Sequence, residues 1–354
     1  MTSPARPVFD SETRITIPET ALTLPALRHP DHAEIERANQ HYIRTHLWNL
    51  YRSEEEAQNN LRDRHAQWAC LANPNGHSER VRYHAYWVSA FFLIDDALSD
   101  PNWHGSSTHA ADTIVSELVS VLEGDLTAPG SGGGPYKKVA AMVLEPILEG
   151  MGPGLRARFL ADMRRYIHEY RAEVALRATG KVPDFDTYMA MHTASGCDAV
   201  TTLVEYGLQI DLTGAFRAHP ALHELKRIVH DNFILVNDLF SFHREHSQGD
   251  YTNALSVLVL AEGMQLQDAI DKVCHLIRET ETRFIKKSGE MLTSALGADP
   301  DIRAYVEEMA YAFSASSQWS YETPRYHNGE RGVTRFPSGS ATLTRDRITY
   351  ASAK

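Results

Sequence analysis

The sequence predicts an all-α fold, a single helical bundle around a central cavity. Three observations carry that expectation. Apolar residues recur at intervals of three and four from about Asp31 onward. Strand-like alternation is nearly absent, and clusters of Pro and Gly punctuate the periodic segments. The 354 residues, 43% hydrophobic, suffice for a sizeable core, and no linker divides them.

Taken in order, residues 1–29 are rich in Pro and Thr without period and read as an extended N-terminal segment. The helical domain runs over 30–328. "HAEIERANQHYIRTHLWNLY" and "HSERVRYHAYWVSAFFLIDDALSD" each carry an apolar stripe. Further helical patterns cover about 106–124, 136–150, 153–178, 184–208, 219–247, 253–287 and 300–322. That makes about ten helices, with no repeat at a fixed period. The Gly-rich stretch at 130–134 lacks a following Lys-Ser/Thr and reads as a surface connection, not a phosphate cradle. Residues 329–354 are polar and read as a flexible C-terminal tail.

Composition excludes several classes. A net charge of −11 argues against nucleic-acid binding through a basic face. Cys70, Cys197 and Cys274 are scattered, which suits reduced thiols and a cytoplasmic location. No basic start leads into an apolar run, and no stretch approaches about 18 apolar residues, so neither a signal peptide nor a membrane span is expected.

Two polar anomalies point to chemistry. "VNDLFSFHRE" places Asn237, Ser241 and Glu245 at i, i+4 and i+8 among Leu235, Val236, Leu239, Phe240 and Phe242. Successive steps of four rise about 6 Å along one helix face. An amide oxygen, a hydroxyl and a carboxylate are hard donors suited to Mg2+, which keeps waters or substrate phosphates in its remaining positions. The second anomaly is "FFLIDDALSD", where Asp95 and Asp96 end an apolar run and Asp100 follows. Acids at a helix C-terminus oppose the dipole, and burying a carboxylate beside phenylalanines costs on the order of several kcal/mol unless compensated.

With these residues in view, the chain resembles the class I terpene synthase (terpene cyclase) family in its microbial, sesquiterpene-synthase-like form. "NDLFSFHRE" is similar to that family's Asn-Asp-x-x-Ser-x-x-Arg/Lys-Glu motif, and "DDALSD" to its aspartate-rich motif. "WSYETPRY" resembles the late Arg-Tyr pair. The resemblance implies that Asp95 bridges two Mg2+ ions, with Asp96 and Asp100 in lesser motif positions. It implies that Asn237, Ser241 and Glu245 hold a third Mg2+. Three ions are thus expected, with Mn2+ a substitute. Arg244, Arg325 and Tyr326 match contacts to diphosphate. His192 and Gly196, in "YMAMHTASG", fall where the family has a diphosphate-sensing arginine and an effector glycine, with Ser195 at the linker position. The histidine departs from the pattern; Arg171 and Arg165 are the next candidates for that role. Trp319, Phe91, Phe92, Phe233 and Trp87 are candidates for an aromatic cavity wall, and each fits an ordinary core role too.

The implied activity is Mg2+-dependent ionisation of a linear prenyl diphosphate, farnesyl diphosphate first, and cyclisation to a terpene hydrocarbon or alcohol. A geranylgeranyl-using cyclase, a chain-elongating prenyl diphosphate synthase and a non-catalytic helical lipid-binding or scaffold protein are the alternatives. The elongating enzymes carry a second aspartate-rich motif where this chain has Asn-Ser-Glu. No nucleic-acid partner is expected, and a homodimer is left open.

Overall fold

The computed structural model describes residues 12–17, 23–125, 133–192, 196–327, 339–344 and 347–350. Helix α1 (His32–Tyr42) continues through a π turn at Ile43–Leu47 and is followed by α2 (Glu54–Asp63), α3 (His65–Ala72) and α4 (Ser78–Ser99). Next come α5 (Thr108–Leu122), α6 (Pro135–Glu149), α7 (Pro153–Thr179), α8 (Phe185–His192), α9 (Cys197–Leu208) and α10 (Thr213–Ala218). The last four are α11 (Pro220–Gln248), α12 (Ala254–Leu260), α13 (Leu266–Thr293) and α14 (Pro300–Glu322), and a 3-10 turn at Pro324–Tyr326 follows.

The punctuation obeys backbone chemistry. Pro153, Pro220 and Pro300 open α7, α11 and α14 at the first helical turn, where a missing N–H costs nothing. Gly180 and Gly249 close α7 and α11 at φ of 65° and 84°, a conformation glycine adopts without strain. The Asp299 side chain caps α14 by accepting from the N–H groups of Asp301 and Ile302.

Three helical segments differ from the periodicity reading. Residues 54–72 form α2 and α3, which the pattern does not mark. The α2 segment is polar and has only Ala57 and Leu61 as buried apolar residues, beside the buried Asn60 and Asp63, while α3 is buried on nearly every side. The stretch 253–287 is two helices, parted near Gly263 at φ 73°. The stretch 184–208 likewise holds two described helices, α8 ending at His192 and α9 starting at Cys197.

The lead-in and the tail also carry strands. β1 (Glu12–Ile17) pairs antiparallel with β2 (Gly339–Thr344), and β2 with β3 (Arg347–Tyr350). Ile15 and Ile17 of β1 are buried, and Gln267 on α13 bonds both backbone groups of Thr16 at 2.7 and 2.6 Å. Such pairing joins the two ends of the chain, so no local pattern announces it.

The bundle places α4 against α1, α3, α6, α7 and α9, and α11 against α9, α12, α13 and α14. Among the described residues, no helix is long and apolar enough to cross a membrane.

Candidate active site

The last turns of α4 and the middle of α11 border two adjoining cavities. Consecutive helical residues point about 100° apart, and that rotation separates Asp95 from Asp96. Asp95 lines a cavity of about 230 Å³ together with Asn237, Glu245, His192 and Gly196. Asp96 lines a wider one of about 490 Å³ with Asp100, Arg244, Arg325 and Tyr326. Ser241 is buried on the α11 face between Asn237 and Glu245.

In the wider cavity the charges are matched. The Arg325 guanidinium donates twice to the Asp96 carboxylate, at 3.1 and 2.5 Å, a bidentate fork. Arg244 Nη1 lies 3.1 Å from the same carboxylate. Burial alone would raise the Asp96 pKa; Arg325 and Arg244 outweigh it and hold the group at about 2. Asp63, at the end of α2, stands 3.6 Å from Arg325, and burial pushes it up to about 7 even so. Nothing in the sequence pattern singled out Asp63. Asp100 has other partners in the same cavity: it is buried, lies 3.0 Å from Arg52, and accepts the Asn102 backbone N–H at 2.8 Å.

The narrower cavity has the opposite character. Burial, then the charges of Asp96 and Glu173, push Asp95 up to about 8. Arg244 and Arg325 oppose that rise without cancelling it. Asn237 donates through Nδ2 to the Tyr326 hydroxyl at 2.9 Å, which leaves its amide oxygen as a donor for a cation. Asn253 donates to Glu245 Oε2 at 2.9 Å and to the Asp238 carbonyl at 2.9 Å, while its own oxygen caps α12 through the Leu255 N–H. Asn253 thus ties the start of α12 to the α11 face, a positioning role the sequence did not reveal. Asp238 is occupied by the Tyr188 hydroxyl at 2.6 Å and the Ala254 N–H at 2.8 Å. Asp95, Asn237 and Glu245 bring oxygens to this cavity, with the Ser241 hydroxyl bonded to the Glu245 carboxylate, and these donor types suit a hard divalent ion.

Aromatic residues finish the narrower cavity. Trp87, Phe91, Phe92 and Phe233 all line it. Trp87 and Phe91 stack at 5.0 Å, and Phe92 lies beneath the Arg325 guanidinium at 5.1 Å. Trp319 lines neither of these two cavities. It packs edge-on behind Phe92 at 5.6 Å and donates its indole N–H towards the Asp63 and Arg64 carbonyls, both at 3.2 Å. Gly196 has a packing reason: a Cβ there would stand 3.0 Å from the Tyr166 ring. Ser195 lies outside the described residues.

His192 faces acids. Its ring packs on Tyr188 at 4.4 Å, and Nδ1 lies 3.6 Å from both Glu169 and Glu173. Burial lowers its pKa to about 4, so the ring is neutral near pH 7. The other two candidates for that role are engaged away from it: Arg171 with Asp112 at 2.6 Å, and Arg165 with Asp162 and Asp198, each at 2.6 Å.

Comparison with known proteins agrees with this geometry. Residues 86–283, more than half of the chain, match the family described as "Terpene synthase family 2, C-terminal metal binding". "Microbial Terpene synthase-like protein 13" of Selaginella moellendorffii is 25% identical over 276 residues, 78% of this chain and 77% of its own. "Sesquiterpene synthase Agr1" of Cyclocybe aegerita is 26% identical over 264 residues, 72% of each chain. Among solved structures, the ancestrally reconstructed SVS_A2 protein superposes with a TM-score of 0.77 at 20% identity, covering 86% of this chain and 90% of its own. That likeness concerns the fold.

Proposed function

The chain belongs to the terpene synthase family, and from that premise we propose that it ionises farnesyl diphosphate to a carbocation and cyclises it, releasing diphosphate. The observation that carries this reading is the single cavity in which Asp95, Asn237 and Glu245 meet an aromatic wall. Oxygen donors at one part of the lining and π faces at another divide the labour that ionisation and cyclisation need. Family membership implies a divalent metal; the hard oxygen donors favour Mg2+, three ions on the family pattern with Mn2+ a substitute. When bound, Mg2+ neutralises the diphosphate as its C–O bond breaks.

The chain's own residues do the rest. Asp95 holds metal from the α4 side, and Asn237, Ser241 and Glu245 from the α11 side. Arg244 and Arg325 exchange part of their pairing with Asp96 for diphosphate oxygens, and Tyr326, already bonded to Asn237, adds a hydroxyl beside them. Trp87, Phe91 and Phe233 exclude water and offer π faces to the cation, worth up to about 2 kcal/mol each when desolvated. The preference for a fifteen-carbon substrate is supported by relatives named as sesquiterpene synthases. Incubation with geranyl, farnesyl and geranylgeranyl diphosphates, with and without Mg2+, tests the reading by gas chromatography and mass spectrometry. Farnesyl diphosphate gives the most cyclic product if it holds. Linear alcohols alone, or product formed equally in EDTA, would contradict it.

A further inference from the structure

We propose that Glu169, Glu173 and His192 form a separate site for one divalent transition-metal ion. The three offer ligand atoms that all lie within 4.8 Å of one another, at the lining of the narrower cavity. Glu169 and Glu173 share one face of α7 at i and i+4, and His192 comes down on them from the end of α8.

The contacts have metal-site spacing, not hydrogen-bond spacing. An imidazolium paired with a carboxylate closes to about 2.7–2.9 Å. Here Nδ1 stands 3.6 Å from both Glu169 Oε1 and Glu173 Oε1. Two ligands about 2.1 Å from one tetrahedral ion stand roughly 3.4 Å apart. The oxygens are also available. Glu169 is 92% buried by complement of its 8% exposure, and neither of its carboxylate oxygens has a hydrogen-bond partner. A buried, unpartnered carboxylate is costly unless something completes it. Glu173 turns its other oxygen, Oε2, towards Arg177 at 3.6 Å, so Oε1 is the one left for the site.

The donor types select the ion. One imidazole nitrogen with two carboxylates is softer than the all-oxygen set of Asp95, Asn237, Ser241 and Glu245, and suits Zn2+ or Mn2+ over Mg2+. A neutral imidazole is the ligand form. The Tyr188 ring against His192 fixes the imidazole's orientation. The role of such an ion rests on the function proposed above: it puts fixed positive charge where the family resemblance expects an arginine. Metal binding itself does not depend on that function.

The test uses the full chain, stripped with EDTA, without diphosphate, and with Mg2+ in excess to satisfy the hard-oxygen donors. Zn2+ is then titrated by calorimetry and by metal analysis after desalting, and Mn2+ by electron paramagnetic resonance. The expected result is one tight equivalent per chain, weakened at least tenfold in His192→Ala and in the near-isosteric Glu169→Gln, and kept in Glu245→Gln. Circular dichroism shows that each variant is folded. No stoichiometric Zn2+ or Mn2+ in the wild type overturns the proposal, as does equal binding in Glu169→Gln. Loss of cyclase activity with metal binding intact would instead count against the proposed function alone.

Discussion

Asp95 and Asp96 are neighbours on one helix, yet they stand in opposite electrostatic worlds. Asp96 sits with Arg325, Arg244 and Asp63 in a seam where charge is matched before any ligand arrives. Asp95 sits with Glu173, near Glu169, where carboxylates outnumber their counter-charges and take up protons instead. A rotation of about 100° along α4 makes the difference. The matched seam holds its two arginines on an internal carboxylate. The unmatched cavity is where the proposed function places the metal ions. Adjacent acids in one motif thus stand in different surroundings, Asp96 paired with two arginines and Asp95 beside other carboxylates.

The largest effect that could break this comparison is on stability. Asp96→Asn leaves two guanidinium groups short of their buried counter-charge and should lose about 3–5 kcal/mol, read by urea unfolding without metal. A loss under 1 kcal/mol would mean the seam is not a matched pair. Asp95→Asn should do the reverse: the fold persists, while turnover falls by about 100- to 1000-fold, the usual cost of removing one group that stabilises transition-state charge. Steady-state diphosphate release measures it, and wild-type rates would put Asp95 outside the site.

The pH dependence sharpens the contrast, with EDTA present. Asp95 keeps a proton to about pH 8 when folded, whereas an unfolded aspartate releases it near pH 4. Its contribution is therefore full at low pH and is lost as pH rises through about 8. Asp96 runs the other way: its pKa of about 2 gives stability that is present above pH 4 and lost as pH falls towards 2. Melting temperatures should show Asp95→Asn gaining on the wild type by a few degrees between pH 5 and pH 8. Equal slopes for the two proteins would refute the unmatched cavity. A smaller effect is expected at Asn253. Asn253→Ala frees Glu245 and the start of α12, and Mg2+ affinity in the presence of diphosphate should fall about 10- to 100-fold, with Asp95 untouched. Unchanged affinity would make Asn253 a cap for α12 only.

The sequence made α4 and α11 legible because each breaks its own apolar pattern with acids or hard donors. It did not reveal Asp63, whose α2 segment looks like a solvated polar stretch until Arg325, far along the chain, folds back onto it. Glu169 and Glu173 in "YIHEYRAEV" look like an ordinary exposed pair on a helix; the tertiary packing of α7 turns them into a cavity, where they meet His192. The place of Trp319 near Arg325 in sequence suggested a wall residue, but the α14 helix turns its indole towards the carbonyls at the α2–α3 corner. The β1–β2 pairing joins residues more than 300 apart, which no local signal can encode.

The unmatched cavity is proposed to bind metal and, with it, a prenyl diphosphate. The most direct measurement is release of inorganic diphosphate from farnesyl diphosphate at varied Mg2+, with volatile products collected from the same reaction. The expected release saturates with Mg2+, stops in EDTA, collapses in Asp95→Asn and accompanies cyclic hydrocarbon or alcohol. Release that ignores both EDTA and the Asp95 substitution, or none at any Mg2+ concentration from a folded chain, would contradict it.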